Sequence, residues 1–175
     1  MKRVLWLIPA ILFLGITAQA QEIPSWELSG GYSYLRAVLN GSSFGLNGGN
    51  GTVTQNLNGW FGGRLSADAY QGTVSRKSIS MQTIAYGPVF AYRRSQRVTP
   101  FVLFQLGAVH GTAGYPGLSE SAFKFMLVGG VGADFNINQR AAIRVEGQYV
   151  MTTFNNVRQD NFNASAGLVI RFGHK

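Results

Sequence analysis

The sequence predicts an all-β fold, an eight-stranded antiparallel up-and-down transmembrane β-barrel. Three observations lead to it. Apolar and polar residues alternate with a period of two along most of the chain, which is typical of strands with two different faces. Only 13% of the 175 residues are charged, about half of the roughly 25% found in soluble domains. Short and long connections alternate between the predicted strands, as in membrane barrels with short turns at one end and longer loops at the other.

Residues 1–20 precede the first strand and are predicted to be a cleaved signal peptide. Lys2 and Arg3 begin it, an uncharged apolar run follows, and the chain then reads Ala-Gln-Ala, the small-x-small pattern of a cleavage site. Cleavage between Ala20 and Gln21 would leave residues 21–175 as the barrel. An N-terminal membrane anchor is the alternative, but the apolar run is shorter than the about 20 residues that a spanning helix needs.

The alternation is clearest in the last three predicted strands. In the sixth strand Phe125 and Asp134 lie on opposite faces, in the seventh Ile143 and Arg144 do so, and in the eighth the apolar face includes Leu168. The same pattern, extended toward the N-terminus, gives eight strands, with the weakest alternation in the second. They are predicted at about residues 26–36, 51–58, 60–70, 79–93, 98–110, 122–136, 141–154 and 161–172.

Three predicted connections are short: Asn58-Gly59, Arg94–Arg97 and Ile137–Arg140. Asn-Gly favours a type I′ hairpin turn, because both central residues of that turn need a positive φ. The other four connections, at 37–50, 71–78, 111–121 and 155–160, are generally longer and rich in Gly, Ser and Asn. We expect them to form four extracellular loops, with Gly41–Gly51 as a mobile one.

The composition of the two faces predicts which of them points outward. The polar face consists mostly of Gly, Ser, Asn and Gln, whereas a soluble barrel needs abundant charge on its outside. We therefore expect the apolar face to contact lipid and the polar face to fill a narrow interior. Aromatic residues near the predicted strand ends fit the belts found at membrane interfaces; they are Trp26, Tyr32, Tyr34, Trp60, Phe90, Tyr92, Phe135, Tyr149 and Phe172.

Four stretches of the chain resemble the eight-stranded outer-membrane β-barrel family, which includes the OmpA transmembrane domain and the opacity proteins. They are Glu27–Tyr34, Tyr86–Arg93, Arg97–Phe101 and Ala166–Phe172. The resemblance implies the outer membrane of a Gram-negative-type bacterium, with both termini in the periplasm and outer-membrane lipid around the barrel. It also implies that the barrel-assembly machinery reads a C-terminal signal ending at Phe172, although three further residues follow here. Small barrels of this family are commonly monomers.

Charged residues on the inner face are expected to form a polar network, because an isolated charge in a narrow barrel is costly. Two pairs are predicted: Glu27 with Arg171, since the first and last strands must meet, and Asp134 with Arg144, which flank one turn. The network serves either as packing or as a rearrangeable gate across a narrow water path. Its expected members are Glu27, Arg64, Asp68, Arg93, Lys124, Asp134, Arg144, Glu146 and Arg171.

The surplus arginines at the short turns allow two interpretations. Arg93, Arg94, Arg97 and Arg140 either keep the turns solvated, which we favour, or meet anionic lipid headgroups.

Several functions are disfavoured by what the sequence contains. The 15 Lys and Arg against 7 Asp and Glu give a net charge of +8, which is too sparse for a nucleic-acid surface. There is no Cys, the sequence contains no His-x-Ser pair, no Asp lies within three residues of His110, and His174 is in the C-terminal tail. The sequence therefore predicts neither an enzyme nor a metal or cofactor site.

The predicted function is that of an integral outer-membrane barrel, with an envelope-structural role or a surface-exposed binding or adhesion role through its four loops. The first alternative is a narrow, porin-like, low-conductance pore for small solutes or ions. The second is a soluble secreted ligand-binding barrel.

Overall fold

The computed structural model describes residues 23–39, 42–74, 77–115, 118–154 and 157–174. Ala20 and Gln21, at the predicted cleavage site, lie outside these residues. The described residues form eight strands: β1 (Pro24–Leu39), β2 (Ser42–Asn56), β3 (Phe61–Val74), β4 (Lys77–Ala91), β5 (Val98–Tyr115), β6 (Leu118–Asn136), β7 (Ala141–Phe154) and β8 (Val157–His174).

Each strand pairs antiparallel with the next, and β8 pairs with β1 to close the barrel. The predicted fold class and strand number are therefore confirmed. Closure leaves no strand edge with unpaired backbone groups, which is what a β-structure in lipid requires. Among the described residues no helix has the length and apolar character needed to cross a membrane.

The apolar face of the sheet points outward, as predicted. Phe125, Leu168 and Ile170 are 61%, 62% and 58% exposed on the outside, whereas Val169, between the last two, is fully buried in the interior. This arrangement contradicts the alternative of a soluble secreted barrel, because such a barrel needs charged residues on its outer face.

The seam between β1 and β8 depends on two inward-facing glycines that are register partners, Gly31 and Gly167. A Cβ atom at Gly31 would overlap the backbone of Ala166 and Gly167. Glycine at this position therefore lets the first and last strands approach closely enough to pair.

The strands at one end of the barrel are longer than predicted. The prediction of 51–58 for the second strand is wrong, since β2 begins at Ser42, and most of the loop predicted at Gly41–Gly51 belongs to this strand. The other long connections are also largely strand, and only two residues separate each pair of strands at this end. Gly, Ser and Asn residues without apolar–polar alternation belong to these strands because they pair with a neighbouring strand.

The three turns at the opposite end share one device. The side-chain oxygen of Asn58 accepts hydrogen bonds from the backbone N–H groups of Trp60 and Phe61, and Asn138 does the same for Arg140 and Ala141. Ser95 plays this role in the turn between β4 and β5. The predicted type I′ turn is wrong, because Gly59 does not have a positive φ; the Asn58 side chain stabilises a wider turn instead.

These turns also bond to the strands beside them. The carbonyl oxygens of Trp60, Arg97 and Arg140 accept hydrogen bonds of 2.8 Å from the backbone N–H groups of Ala91, Asn136 and Arg171. Residues 57–60, 92–97 and 137–140 thus form a connected structure, here called the turn rim. The opposite end, where β1 meets β2, β3 meets β4, β5 meets β6 and β7 meets β8, is called the hairpin end.

The outer face indicates where the bilayer lies along the barrel. Strands contain 14 to 19 residues, whereas about 9–11 suffice to span a bilayer. Exposed apolar residues such as Trp26 and Phe172 begin next to the turn rim, while Arg36, Gln71 and Asp160 are exposed near the hairpin end. The bilayer therefore surrounds the part of the barrel nearer the turn rim, and the hairpin end projects beyond it.

Candidate functional site in the barrel interior

Inward-facing side chains form a charged layer toward the turn rim and two apolar clusters. The larger cluster lies mainly on β4, β5 and β6 and runs from Ala91 and Phe101 at the turn rim to Val109 and Met126, and the smaller one lies at the hairpin end. A barrel of eight strands has an interior just wide enough for side chains, so every inward residue contacts others.

Arg144 is at the centre of the charged layer. It is the register partner of Asp134 across the β6–β7 pair, and its Nε and Nη2 atoms donate to the two Asp134 oxygens at 2.7 and 2.8 Å. Nη2 also donates to Glu27 Oε2 at 2.9 Å. Bidentate pairing of this kind holds a guanidinium in one orientation.

Glu27 links this pair to Asn56 at the end of β2, to Arg93 just beyond β4 and to Arg171 on β8. Its Oε1 atom accepts hydrogen bonds from Arg93 Nη2 and Asn56 Nδ2, each at 3.1 Å. Arg171 Nε lies 3.7 Å from the same oxygen. Glu27 is only 1% exposed, and three arginines offset the cost of burying its charge.

Arg171 closes the layer on the other side. Its two terminal nitrogens donate to Asp134 Oδ2 at 3.0 Å and to Asn136 Oδ1 at 2.7 Å. Since Arg171 is on β8 and Asp134 is on β6, this side chain bridges the intervening β7. The charged layer therefore links strands, such as β6 and β8, that are not neighbours in the barrel.

Arg64 and Glu146 form a second ion pair deeper in the barrel. Arg64 Nη1 donates to Glu146 Oε2 at 2.9 Å, and Arg64 Nε donates to Thr54 Oγ1 at 3.0 Å. The other Glu146 oxygen accepts a hydrogen bond from Gln148. With both oxygens engaged, the buried Glu146 carboxylate is fully paired.

Phe101 lies between the two ion pairs. The guanidinium carbons of Arg64 and Arg144 lie 4.6 and 4.9 Å from the centre of its ring. Both distances are within the range of a cation–π interaction. The aromatic ring thus stabilises two like charges that would otherwise repel each other across the interior.

Two of the predicted network residues lie apart from this layer. Asp68 accepts a hydrogen bond of 2.7 Å from Thr83 Oγ1, and Lys124 is partly buried on the inner face of β6. Neither forms an ion pair with a residue that the structure describes. Phe172, predicted as the assembly signal, is exposed on the outer face of β8 opposite Trp26.

Neutral polar residues in the layer were not singled out from the sequence. Asn56 and Asn136 occupy equivalent places, since each ends a strand and precedes a turn that reads Leu-Asn or Ile-Asn. That repeat is the signal from which both could have been found. Thr54 and Gln148 could have been found by extending the inward alternation of their strands.

Two clusters of apolar side chains also fill the interior, and the alternation pattern did not predict them. Leu35, Leu46 and Tyr70 pack together near the hairpin end. A larger cluster, which reaches the turn rim at Ala91 and Phe101, also contains Leu103, Met126 and five other buried residues. The interior thus contains apolar clusters in addition to the predicted polar side chains, which are buried toward the hairpin end as well, at Thr152, Asn161 and Asn163.

Small cavities lie between these side chains. Two of them, one beside Asp68 and Gln105 and the other beside Arg144 and Ser165, have volumes of about 10 Å³ each. Each has room for about one water molecule. Within the described ranges, no group of three or more His, Asp or Glu residues is arranged to hold a metal ion.

Residues 7–169 match the family model of the outer membrane protein beta-barrel domain. No curated protein gives a significant match.

Solved structures of the same architecture are similar to this chain. Neisserial surface protein A has a TM-score of 0.75 and 12% identity, with 85% of this chain and 97% of that chain covered. Ail, the attachment invasion locus protein of Yersinia pestis, has a TM-score of 0.59 and 20% identity, with 85% and 100% covered. The outer membrane protein OprG of Pseudomonas aeruginosa has a TM-score of 0.62 and 10% identity, with 87% and 97% covered.

Proposed function

The chain belongs to the outer-membrane β-barrel protein family, and from this premise we propose that it is a closed barrel that presents its hairpin end as a binding surface for attachment. One observation carries the proposal: buried side chains fill the described interior, and the cavities beside Asp68 and beside Arg144 each have room for only about one water molecule. A barrel whose interior is filled by side chains binds its partners through its outer surface.

The hairpin end supports this proposal because it projects beyond the lipid-facing part of the barrel. It offers polar, exposed side chains, including Arg36, which donates to Ser43 Oγ at 3.4 Å. The sequence places Arg76, Lys77 and Arg158 in or beside the hairpins as well. Positive charge in this region suits an anionic partner.

A structure of Ail was determined with the heparin analogue sucrose octasulfate. We propose a sulfated glycan as the ligand class of this chain too. The probe is immobilised heparin, and the sample is the full barrel in lipid nanodiscs. We expect the Arg36→Gln variant to bind more weakly and the Arg97→Gln variant, altered at the opposite end, to bind like the wild type. Equal binding by all three proteins, or no binding by any, would contradict the proposal.

A narrow pore is the second candidate function. The observation that favours it is the series of polar side chains through the interior, from Arg144 through Arg64 and Glu146 to Gln105, with a cavity beside each end of the series. Single-channel recordings in planar bilayers decide between the two candidates. A steady conductance that is lost on replacing Arg144 or Glu146 by Ala would favour the pore, and silent bilayers would favour the closed barrel.

We propose that both termini and the turn rim face the periplasm and that the hairpin end faces outward. Short periplasmic turns are usual in barrels of this kind, and an even number of strands returns the C-terminus to the side of the N-terminus. Protease treatment of intact cells tests this orientation. Cuts near residues 40 and 116 are expected, whereas cuts near 95 and 138 would reverse the assignment.

Three proposals concern biogenesis and assembly. Residues 1–20 are removed after Ala20, which intact-protein mass spectrometry of the purified barrel would detect as Gln21 at the N-terminus.

The barrel-assembly machinery reads the C-terminal strand through Phe172, so Phe172→Ala is expected to lower the amount of folded protein in the membrane. The barrel is a monomer, which its mass in nanodiscs tests.

A further inference from the structure

Three arginines on the turn rim are exposed and have no acidic neighbour in the turns that carry them. They are Arg94, Arg97 and Arg140. The sequence of the turn rim contains no Asp or Glu. None of the three side chains forms an ion pair with a residue that the structure describes. The turn rim therefore presents positive charge that the described part of the protein does not neutralise.

The carboxylates nearest to this end are already engaged. Glu27 and Asp134 are 1% and 2% exposed, and both are bonded to Arg144 in the interior. Arg93, the fourth arginine of the turns, is also directed inward, where it binds Glu27 and Asn56. The exposed and the buried arginines of this end thus have separate roles.

A backbone hydrogen bond joins the turn that carries Arg94 and Arg97 to the start of the turn that carries Arg140. The carbonyl oxygen of Arg97 accepts a hydrogen bond from the N–H group of Asn136. Asn136 immediately precedes the turn that ends at Arg140. The two turns are therefore adjacent on the turn rim.

Exposed aromatic and apolar residues lie on the same rim. Trp60 and Tyr92 are 60% and 59% exposed, and Ile137 is exposed in the turn that ends at Arg140. The Trp60 ring stacks on Phe90, with 6.0 Å between ring centres. Trp and Tyr side chains favour the boundary between lipid tails and headgroups. The arginines beside them therefore lie at the depth of the headgroups, where phosphate groups are found.

We propose that the turn rim binds the phosphate groups of anionic glycerophospholipids in the leaflet that surrounds this end of the barrel. Arginine suits this ligand because its fork of N–H donors matches the oxygens of a phosphate. The rim thus fixes the depth of the barrel in the membrane by combining lipid-facing aromatic rings with phosphate-binding arginines. Lipid binding here and glycan binding at the hairpin end involve opposite ends of the molecule, so failure of one leaves the other intact.

Native mass spectrometry of the refolded full barrel tests this site. The protein is released from detergent that contains equal amounts of phosphatidylglycerol and phosphatidylcholine, and the retained lipids are counted. We expect the wild type to retain phosphatidylglycerol preferentially. A basic residue near an anionic surface contributes a factor of about five in affinity, so replacing Arg94, Arg97 and Arg140 together by Gln should reduce that preference roughly a hundredfold.

The matched control is Arg36→Gln, which removes an exposed arginine from the hairpin end. It should retain phosphatidylglycerol like the wild type. Heat-modifiable gel mobility verifies that every variant is folded. The proposal is overturned if the wild type shows no preference, if the triple variant keeps it, or if Arg36→Gln loses it equally. It is also overturned if lipid A displaces phosphatidylglycerol from the three arginines, since that result would place the turn rim in the outer leaflet.

Discussion

Glu27 and Arg171 face each other across the seam that closes the barrel: they are register partners on β1 and β8, and Glu27 Oε1 lies 3.7 Å from Arg171 Nε. Each of them also binds a residue of the β6–β7 pair: Glu27 binds Arg144 on β7, and Arg171 binds Asp134 on β6. The seam is therefore held by a network that spans four strands, in addition to its backbone hydrogen bonds.

Arg144→Met should strongly destabilise the barrel. The change keeps much of the side-chain volume but leaves Asp134 and Glu27 with fewer partners in a buried site. Breaking a buried ion pair by removing one partner costs about 3–5 kcal/mol. Urea unfolding in detergent micelles, followed by tryptophan fluorescence, measures the free energy of unfolding. Arg36→Met is the control and should change it by less than about 1 kcal/mol. Equal effects of the two changes would show that the charged layer contributes nothing to stability.

Gly31→Ala should prevent or weaken closure of the barrel, because the added Cβ atom would overlap the backbone of β8. The neighbouring Gly30 faces outward, where a Cβ atom would lie 3.7 Å from the Asn50 carbonyl oxygen, an ordinary contact. Gly30→Ala is therefore the matched control. Gel mobility with and without heating gives the folded fraction of each variant. A Gly31→Ala protein that folds as fully as the control would contradict the close approach of β1 and β8.

Asn138→Ala should weaken the turn between β6 and β7. It removes the acceptor of two backbone N–H groups, and a lost hydrogen bond typically costs about 0.5–1.5 kcal/mol. We expect a loss of about 1–2 kcal/mol in the same urea titration. Asn138→Asp keeps the acceptor oxygen and should retain most of the stability. If Asp is as harmful as Ala, the side-chain oxygen is not what stabilises the turn.

Leu168→Arg tests the position of the bilayer. Leu168 is on the outer face of β8 within the apolar part of the barrel, where an arginine should cost about 2–4 kcal/mol in lipid. Gln71→Arg, on the outer face of β3 near the hairpin end, should cost little, because that position lies beyond the hydrocarbon. Unfolding titrations in phospholipid vesicles compare the two. Equal costs would mean that the apolar part of the outer face is not where lipid surrounds the barrel.

Much of the architecture could be predicted from local pattern. The alternation at Leu168 and Val169 indicates which side chain faces lipid, because successive residues of a strand point to opposite faces. Asp134 and Arg144 flank a short turn, so their proximity follows from the antiparallel pairing of the two strands that this turn connects. The ends of β2 and its neighbours could not be predicted, because beyond the bilayer neither face must be apolar and the alternation disappears.

By itself, the sequence determined the number of strands, their faces and the contacts within a hairpin, since these depend on residues that are close in the chain. Only the tertiary structure decided that Arg64 meets Glu146, 82 residues away, and that Arg144 meets Glu27, 117 residues away. Such contacts depend on the register of every strand pair between the two residues. They arise only when β8 pairs with β1, because closure is what brings strands from opposite sides of the sheet around one shared interior.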